Sequence, residues 1–142
     1  MSSPDSNPSD GSSKRGALIL VVERNPVVQR LERYFLEQAG FSVEFTNDGV
    51  SALARTRELR PKIVVSEILV PKLDGLSLCR AIKTGLDTKD ILVMIFSHLQ
   101  AQDRATEAGA DAFLRKPLEE ELLLETVGRL LDPRRNAVGD HF

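Results

Sequence analysis

The chain has 142 residues, of which 42% are hydrophobic, and this suits a single domain with one ordinary core. Its 19 basic and 21 acidic residues give a formal net charge of −2, so the overall charge favours neither nucleic acid nor a membrane as a partner. The single cysteine, Cys79, excludes an internal disulfide, and no apolar run reaches the roughly 18 residues of a membrane span, so we expect a cytoplasmic protein.

The two ends of the chain differ in composition from its centre. Residues 1–16 are rich in Ser, Pro, Asp, Asn and Gly and lack an apolar segment, so we expect them to form a flexible leader. Residues 133–142 are expected to be a flexible tail that is too short for an output domain. One domain is therefore predicted for residues 17–132.

Five short apolar runs alternate with helical patterns along this domain. The runs are mostly uninterrupted by polar residues, which is typical of strands that are buried on both faces of a parallel sheet. The predicted strands are residues 17–22, 41–45, 62–66, 91–96 and 112–114. Five strand and helix repeats indicate a doubly wound α/β domain with helices on both faces of the sheet.

The connecting segments have the spacing of amphipathic helices, and their apolar stripes are predicted to be core. The first stripe consists of Val27, Leu31, Tyr34, Phe35 and Gln38, and the second of Leu122, Leu123, Thr126, Val127, Leu130 and Leu131. Four local signals predict helix ends: Pro26 in a first turn, Gly40 as a stop, Asp74-Gly75 as a turn before a helix, and Pro117 as the opening of the last helix.

Polar side chains follow four of the five strands directly. Open parallel sheets bind ligands at the carboxyl ends of their strands, so these residues are candidates for one site. They are Glu23 and Arg24 after the first strand, Glu67 after the third, Ser97 and His98 after the fourth, and Arg115 and Lys116 after the fifth. Carboxylates, a hydroxyl and a lysine on one rim form a cluster in which pKa values shift and phosphate can be held.

Three stretches of the chain carry a resemblance to a known family. They are ILVVERNP from residue 19, IVVSEILVPKLDG from residue 63 and EAGADAFLRKP from residue 107. From residue 17 to residue 131 the chain is similar to the receiver domains of two-component response regulators. The resemblance implies a flavodoxin-like fold with strand order 2-1-3-4-5, and a signalling role that is not enzymatic.

The resemblance also assigns positions to the candidate residues. Glu67 stands at the position of the phosphoaccepting aspartate. Glu23 preserves one member of the family's acidic pair, and Arg24 replaces the other. Any magnesium ion would be bound by Glu23, Glu67 and the backbone carbonyl of Leu69.

The remaining motif positions are retained in kind. The resemblance makes Ser97 and Lys116 the residues that orient a phosphoryl group, Phe113 the aromatic switch, and the bond before Pro117 a cis peptide. An aromatic residue on a terminal strand is more often core than switch, and a lone histidine at a strand end, such as His98, is more often incidental. The segment 97–109 is shorter than in typical receivers by about one helical turn, which puts the fourth helix and any family dimer mode in doubt.

Two substitutions are expected to damage phosphoryl transfer. Arg24 removes an oxygen ligand and adds a positive charge, so we expect weak or absent Mg²⁺ binding and no other cofactor. Its guanidinium can fold inward to Glu67 in place of the ion or point into solvent, and Glu67 can also be a plain strand-end charge that pairs with Lys116. The extra methylene of Glu67 extends its carboxylate by roughly 1.5 Å toward Ser97 and Lys116, which misaligns the nucleophile and can imitate the phosphorylated state.

Three functions follow in order of preference. The first is a stand-alone pseudo-receiver that acts through contacts with a signalling protein, either a histidine kinase or an output protein, with a homodimer left open. The second is a receiver that still accepts phosphate from a histidine kinase. The third is a flavodoxin-like binder of a small ligand, which is disfavoured because residues 23–26 offer no phosphate-binding glycine loop.

Overall fold

The structure is a computed structural model that describes residues 16–132 and residue 134. Five strands alternate with five helices. The strands are β1 (Leu18–Val22), β2 (Ser42–Thr46), β3 (Ile63–Ser66), β4 (Leu92–Ser97) and β5 (Ala112–Arg115). The helices are α1 (Pro26–Gln38), α2 (Gly49–Leu59), α3 (Gly75–Thr84), α4 (Gln102–Glu107) and α5 (Glu120–Leu131). The predicted leader and tail lie outside the described residues, except for Gly16 and Arg134.

The strands form one parallel sheet in the order β2-β1-β3-β4-β5, which confirms the predicted fold. Val22 pairs with Thr46 on one side and with Ser66 on the other, and Ser97 pairs with Arg115. The strands therefore end in register. All the residues that follow them emerge at the same edge of the sheet.

The core consists of two apolar layers, one on each face of the sheet. Along β1, Leu20 and Val22 face the layer beneath α2, α3 and α4, whereas Ile19 and Val21 face the layer beneath α1 and α5. This alternation follows from the two-residue period of a strand. Burial on both faces explains why the strands are apolar without interruption.

Three helices begin at the edge of the sheet where the strands end. Asn25 caps α1 by accepting hydrogen bonds from the backbone N–H groups of Val27 and Val28, and Pro26 occupies the first turn. Asp48 and Asp74 cap α2 and α3 in the same way. A side-chain oxygen at each cap satisfies N–H groups that have no partner within the helix.

The predicted core stripe of α1 is wrong. Val27, Leu31 and Tyr34 are 53%, 42% and 59% exposed, and Gln38 is exposed as well. The helix instead packs a stripe of Val28, Glu32 and Leu36 against the sheet, with Phe35 half-buried beside it. The acidic Glu32 in the middle of this stripe hides its spacing from a search for apolar residues.

The stripe of α5 is mostly as predicted. Leu123, Thr126, Val127 and Leu130 are buried, whereas Leu122 is 46% exposed. None of the helices in the described part of the chain is both long and apolar enough to cross a membrane.

The last two helices depart from the sequence-based expectation in different ways. The last helix begins at Glu120 and not at Pro117, because the backbone is still extended at Glu119, whose carbonyl accepts the first helical hydrogen bond from Leu123. The fourth helix is present but has only six residues, and no side chain caps it.

Candidate functional site

Four of the predicted residues meet at the carboxyl edge of the sheet. Glu23 follows β1, Glu67 follows β3, Ser97 ends β4 and Lys116 follows β5. All four are buried, with exposed fractions of 9% or less. We call these four residues the acidic site.

Lys116 lies between the two carboxylates. Its Nζ is 2.8 Å from Glu23 Oε1 and 2.9 Å from Glu67 Oε1. The ring of Phe96 lies 5.5 Å from the same nitrogen and adds a cation–π contact. The cation that joins the two acids is thus supplied by the protein from the end of β5.

The second oxygen of Glu67 is also occupied. Oε2 accepts hydrogen bonds from the backbone N–H of Ile68 at 2.6 Å and of Leu69 at 3.2 Å, and Ser97 donates its hydroxyl to the same oxygen. With the ammonium of Lys116, four donors therefore point at the carboxylate of Glu67. This is the region in which an incoming phosphoryl group would need donors.

Glu23 is held by the start of α1. Its Oε2 accepts a hydrogen bond from the backbone N–H of Asn25 at 3.1 Å, and Gln29 donates its side-chain amide to the carbonyl of Glu23. Gln29 was not among the predicted site residues. The only sequence signal for its role was its position in the first turns of α1, the helix that begins beside Glu23.

The charges of the acidic site stabilise one another. Burial raises the pKa of Glu67, but hydrogen bonds from Ser97 and Lys116 outweigh it and bring the pKa below its usual value. Burial lowers the pKa of Lys116, but hydrogen bonds to Glu23 and Glu67 outweigh this and raise it. The stabilisation is therefore present at neutral pH. It is lost as the pH falls through the pKa of Glu67 and as it rises through that of Lys116.

Arg24 does not adopt the inward pose. The residue is exposed, and its guanidinium forms no ion pair with any residue that the structure describes. Lys116, not Arg24, pairs with Glu67. Arg24 lines an open cavity of about 410 Å³ above Glu23 and Glu67.

The other predicted positions vary in burial. Phe113 is half-buried and packs against the apolar layer beneath α3 and α4. The Lys116–Pro117 peptide bond is cis. His98 and Arg115 are exposed.

Glu32 is a buried acid that the sequence analysis missed. Its side chain on α1 is 1% exposed, and its Oε1 has no hydrogen-bond partner. Burial, with the charge of Glu23, raises the pKa of Glu32 to about 8, although Lys116 lowers it somewhat. The sequence signal for its burial was its position four residues after Val28 and four before Leu36, which places all three residues on one face of α1.

Close packing by Gly75 positions Glu67. A Cβ at Gly75 would lie 2.2 Å from the carbonyl oxygen of Glu67, and the N–H of Gly75 donates to the carbonyl of Ile68 at 2.8 Å. We expect Gly75→Ala to lower the free energy of unfolding by about 1 to 3 kcal/mol, because the backbone must shift to admit a methyl group.

Chemical denaturation measures the effect of Gly75→Ala, with Thr84→Ala at the exposed end of the same helix as the control. The free energy of unfolding of the control variant should lie within about 0.5 kcal/mol of that of the original protein. Equal stabilities for the two variants would contradict the packing argument.

Two carboxylates of the acidic site, those of Glu23 and Glu67, are of the kind that binds a divalent ion. Among the described residues there is no group of three or more His, Cys, Asp and Glu side chains that could hold a metal ion. The facing Oε1 atoms of Glu23 and Glu67 already contact Lys116. Lys116 therefore occupies the space between the two facing carboxylate oxygens.

Comparison with known proteins identifies the family. Residues 19–128 match the model of the response regulator receiver domain. The chain belongs to the response regulator receiver family. This receiver domain is 33% identical over 116 residues to the DNA-binding dual master transcriptional regulator RpaA of Synechocystis, and 39% identical over 119 residues to the response regulator MprA of Mycobacterium leprae. Each match covers 80% of this chain and 48% or 50% of the relative, so the chain spans about half the length of these relatives.

Solved receiver structures have the same fold. The signal receiver domain of a histidine kinase from Syntrophus aciditrophicus is 33% identical, with a TM-score of 0.77 over 82% of this chain and 90% of that one. The receiver domain of the sensor histidine kinase PA1611 from Pseudomonas aeruginosa, which has a magnesium ion coordinated in its active-site cleft, is 27% identical. Its TM-score is 0.76 over 82% of this chain and 98% of that one. The chain is therefore a receiver domain of two-component signalling.

Proposed function

We propose that this receiver domain is a pseudo-receiver, which signals through protein contacts and no longer depends on phosphorylation of its acidic site. The observation that carries the proposal is the position of Lys116 between Glu23 and Glu67, at 2.8 Å and 2.9 Å. Phosphoryl transfer to a carboxylate needs a divalent ion that neutralises the incoming oxygens. We propose that Lys116 takes the place of that ion here.

Weak or absent magnesium binding is part of the proposal. An ion at Glu23 and Glu67 would compete with Lys116 for both carboxylates, and Arg24 supplies no replacement oxygen. Magnesium requires near-octahedral oxygen ligands and loses its water reluctantly. Lys116 therefore competes for both carboxylates with a magnesium ion that would find few protein ligands at this site.

Glu67 is proposed to hold the domain in the state that phosphorylation would otherwise produce. Its carboxylate already receives the hydroxyl of Ser97 and the ammonium of Lys116, which are the donors that the family uses to orient a phosphoryl group. Phe113, at the switch position, packs inward. A carboxylate has less charge than a phosphoryl group and one fewer oxygen, so the imitation is partial.

The partner that reads this state is proposed to be a signalling protein, either a histidine kinase or an output protein, and a homodimer is also compatible with the proposal. The relatives named above include a DNA-binding transcriptional regulator, but this chain matches only half of it. The net charge of −2 supports a protein partner over nucleic acid or a membrane, and a cytoplasmic location is proposed with it.

Intact-mass spectrometry after incubation with acetyl phosphate and Mg²⁺ tests the proposal. We expect no mass increase in the original protein. The double variant Arg24→Asp, Glu67→Asp is the matched control, because it restores both acidic positions. An increase of about 80 Da that maps to Glu67 in the original protein would instead establish the alternative, a receiver that accepts phosphate.

A further inference from the structure

The outer face of α1 carries a patch of exposed apolar side chains. Val27, Leu31 and Tyr34 follow one another at intervals of four and three residues, so they form one stripe along the helix. Apart from α1, no helix, strand or loop of the described residues carries more than one exposed large hydrophobic side chain. Single exposed apolar residues are ordinary, whereas a contiguous stripe marks a contact surface. The single ones are Val50, Leu69, Leu86, Leu99 and Leu122.

This stripe has the spacing of a helix that pairs with another helix. Gln38 is exposed as well and extends the stripe, so that its residues follow at intervals of four, three and four, as at the inner positions of a coiled coil. A different face of α1, with Glu32 and Leu36, is buried against the sheet, so the stripe does not belong to the core. We call this stripe the α1 seam, and it consists of Val27, Leu31, Tyr34 and Gln38.

Two opposite charges flank the α1 seam on one side. Arg30 and Glu37 are about two helical turns apart, and both are exposed on the same side of the helix. Arg30 forms no ion pair with any described residue. Glu37 Oε2 is 3.2 Å from Arg33 on the same helix, a pair exposed enough to contribute little. The guanidinium of Arg33 also lies 4.8 Å from the ring of Phe45, which draws it toward the sheet and leaves Glu37 open to a second cation.

We propose that the α1 seam binds the α1 seam of a second copy of this chain, with the two helices antiparallel. In this arrangement Leu31 packs against the partner's Tyr34, and Val27 packs against the partner's Gln38. Two-fold symmetry repeats each contact, so the apolar centre of the interface contains four side chains, two from each copy. The polar Gln38 then lies at the two ends of the interface, where it stays in contact with water.

The flanking charges favour a second copy in this orientation. Antiparallel pairing places Arg30 of each copy beside the partner's Glu37, so two equivalent ion pairs form on the same side of the interface. Parallel pairing would place each Arg30 level with the partner's Arg30, which is unfavourable. The α1 seam is therefore complementary to itself in both shape and charge when the helices are antiparallel.

The interface is small, so the dimer is expected to be weak. The 13 residues of α1 span about 20 Å. A contact of that length buries less than the roughly 1,200 Å² of stable complexes, and we expect a dissociation constant on the order of 100 µM. The inference goes beyond the proposed function, because the α1 seam contains no residue of the acidic site and its pairing does not depend on phosphorylation.

Sedimentation equilibrium of the full chain, at concentrations from roughly tenfold below to tenfold above that constant, measures the dimer. Leu31→Glu should raise the dissociation constant at least about tenfold, because it places a charge at the apolar centre of the interface. The matched control is Leu122→Glu, since Leu122 is a leucine of similar exposure on α5. The control should retain the dissociation constant of the original protein, and circular dichroism establishes that both variants are folded.

Exchange of the flanking charges tests the orientation of the helices. Arg30→Glu and Glu37→Arg should each raise the dissociation constant about threefold to tenfold, because each single variant brings like charges together. The double variant Arg30→Glu, Glu37→Arg should return to within about twofold of the original protein, since it restores both ion pairs with the charges exchanged.

Three outcomes would overturn the proposal. A protein that stays monomeric over the whole range would leave the α1 seam to a different protein. An equal loss in Leu31→Glu and Leu122→Glu would place the interface elsewhere, and a double variant as weak as its single variants would exclude the antiparallel pairing. The acetyl phosphate experiment is independent of these results, because phosphorylation of Glu67 would end the proposed function and leave the dimer unaffected.

Discussion

Replacement of Lys116 by methionine is expected to lower the free energy of unfolding at pH 7 by about 2 to 4 kcal/mol. The variant leaves Glu23 and Glu67 buried at the same edge without the ammonium that joins them. An unpaired buried charge is costly, and two like charges that share a site repel each other. Glu67 lines an open cavity, so we expect less than the full cost of a dry interior.

Chemical denaturation at pH 7 and at pH 4 measures this effect. The matched control is Lys83→Met, because Lys83 pairs with Asp111 at 3.0 Å where both side chains are more exposed. The free energy of unfolding of Lys83→Met should fall by no more than about 1 kcal/mol. The loss of stability in Lys116→Met should shrink at pH 4, because Glu67 takes up a proton more readily once the ammonium that lowers its pKa is removed. A loss that is equal at both pH values would attribute the effect to packing of the lysine stem and would contradict the electrostatic argument.

Replacement of Glu32 by leucine is expected to stabilise the protein at pH 8 by about 3 kcal/mol and to remove much of its pH dependence. The pKa of Glu32 is about 8 in the folded chain against an ordinary value of 4.5. The folded state therefore binds the proton more tightly than the unfolded state does. The stability that the proton confers is full below pH 4.5 and falls as the pH rises to about 8.

Denaturation curves between pH 5 and pH 9 compare Glu32→Leu with the original protein. The difference in free energy of unfolding between the two proteins should grow with pH, because only the original protein must ionise the buried Glu32. Glu37→Gln is the control, since Glu37 is an exposed acid on the same helix. Parallel stability curves for Glu32→Leu and the original protein would show that Glu32 is ionised in the fold, against the argument from its burial.

The strands were predictable because their signal is local. An uninterrupted apolar run needs burial on both faces, and that requirement favours a parallel sheet whatever the rest of the chain does. The ends of these runs also located Glu23, Glu67, Ser97 and Lys116, since parallel strands bring their carboxyl ends to one edge. The inner face of α1 was missed because a buried Glu32 is uncommon enough to be read as a solvent-facing residue.

The sequence by itself determined that the chain forms a parallel sheet and which polar side chains lie at the carboxyl edge of that sheet. The order of the strands followed from the resemblance to the receiver family. Only the tertiary structure decided which cation joins the acids. Arg24 is next to Glu23 in the chain, whereas Lys116 lies 93 residues away, yet Lys116 forms the ion pair. The reason is geometric: β5 directs its following residue into the edge between β1 and β3, while the neighbour of Glu23 points outward. Contacts of this kind depend on where the strands meet in space.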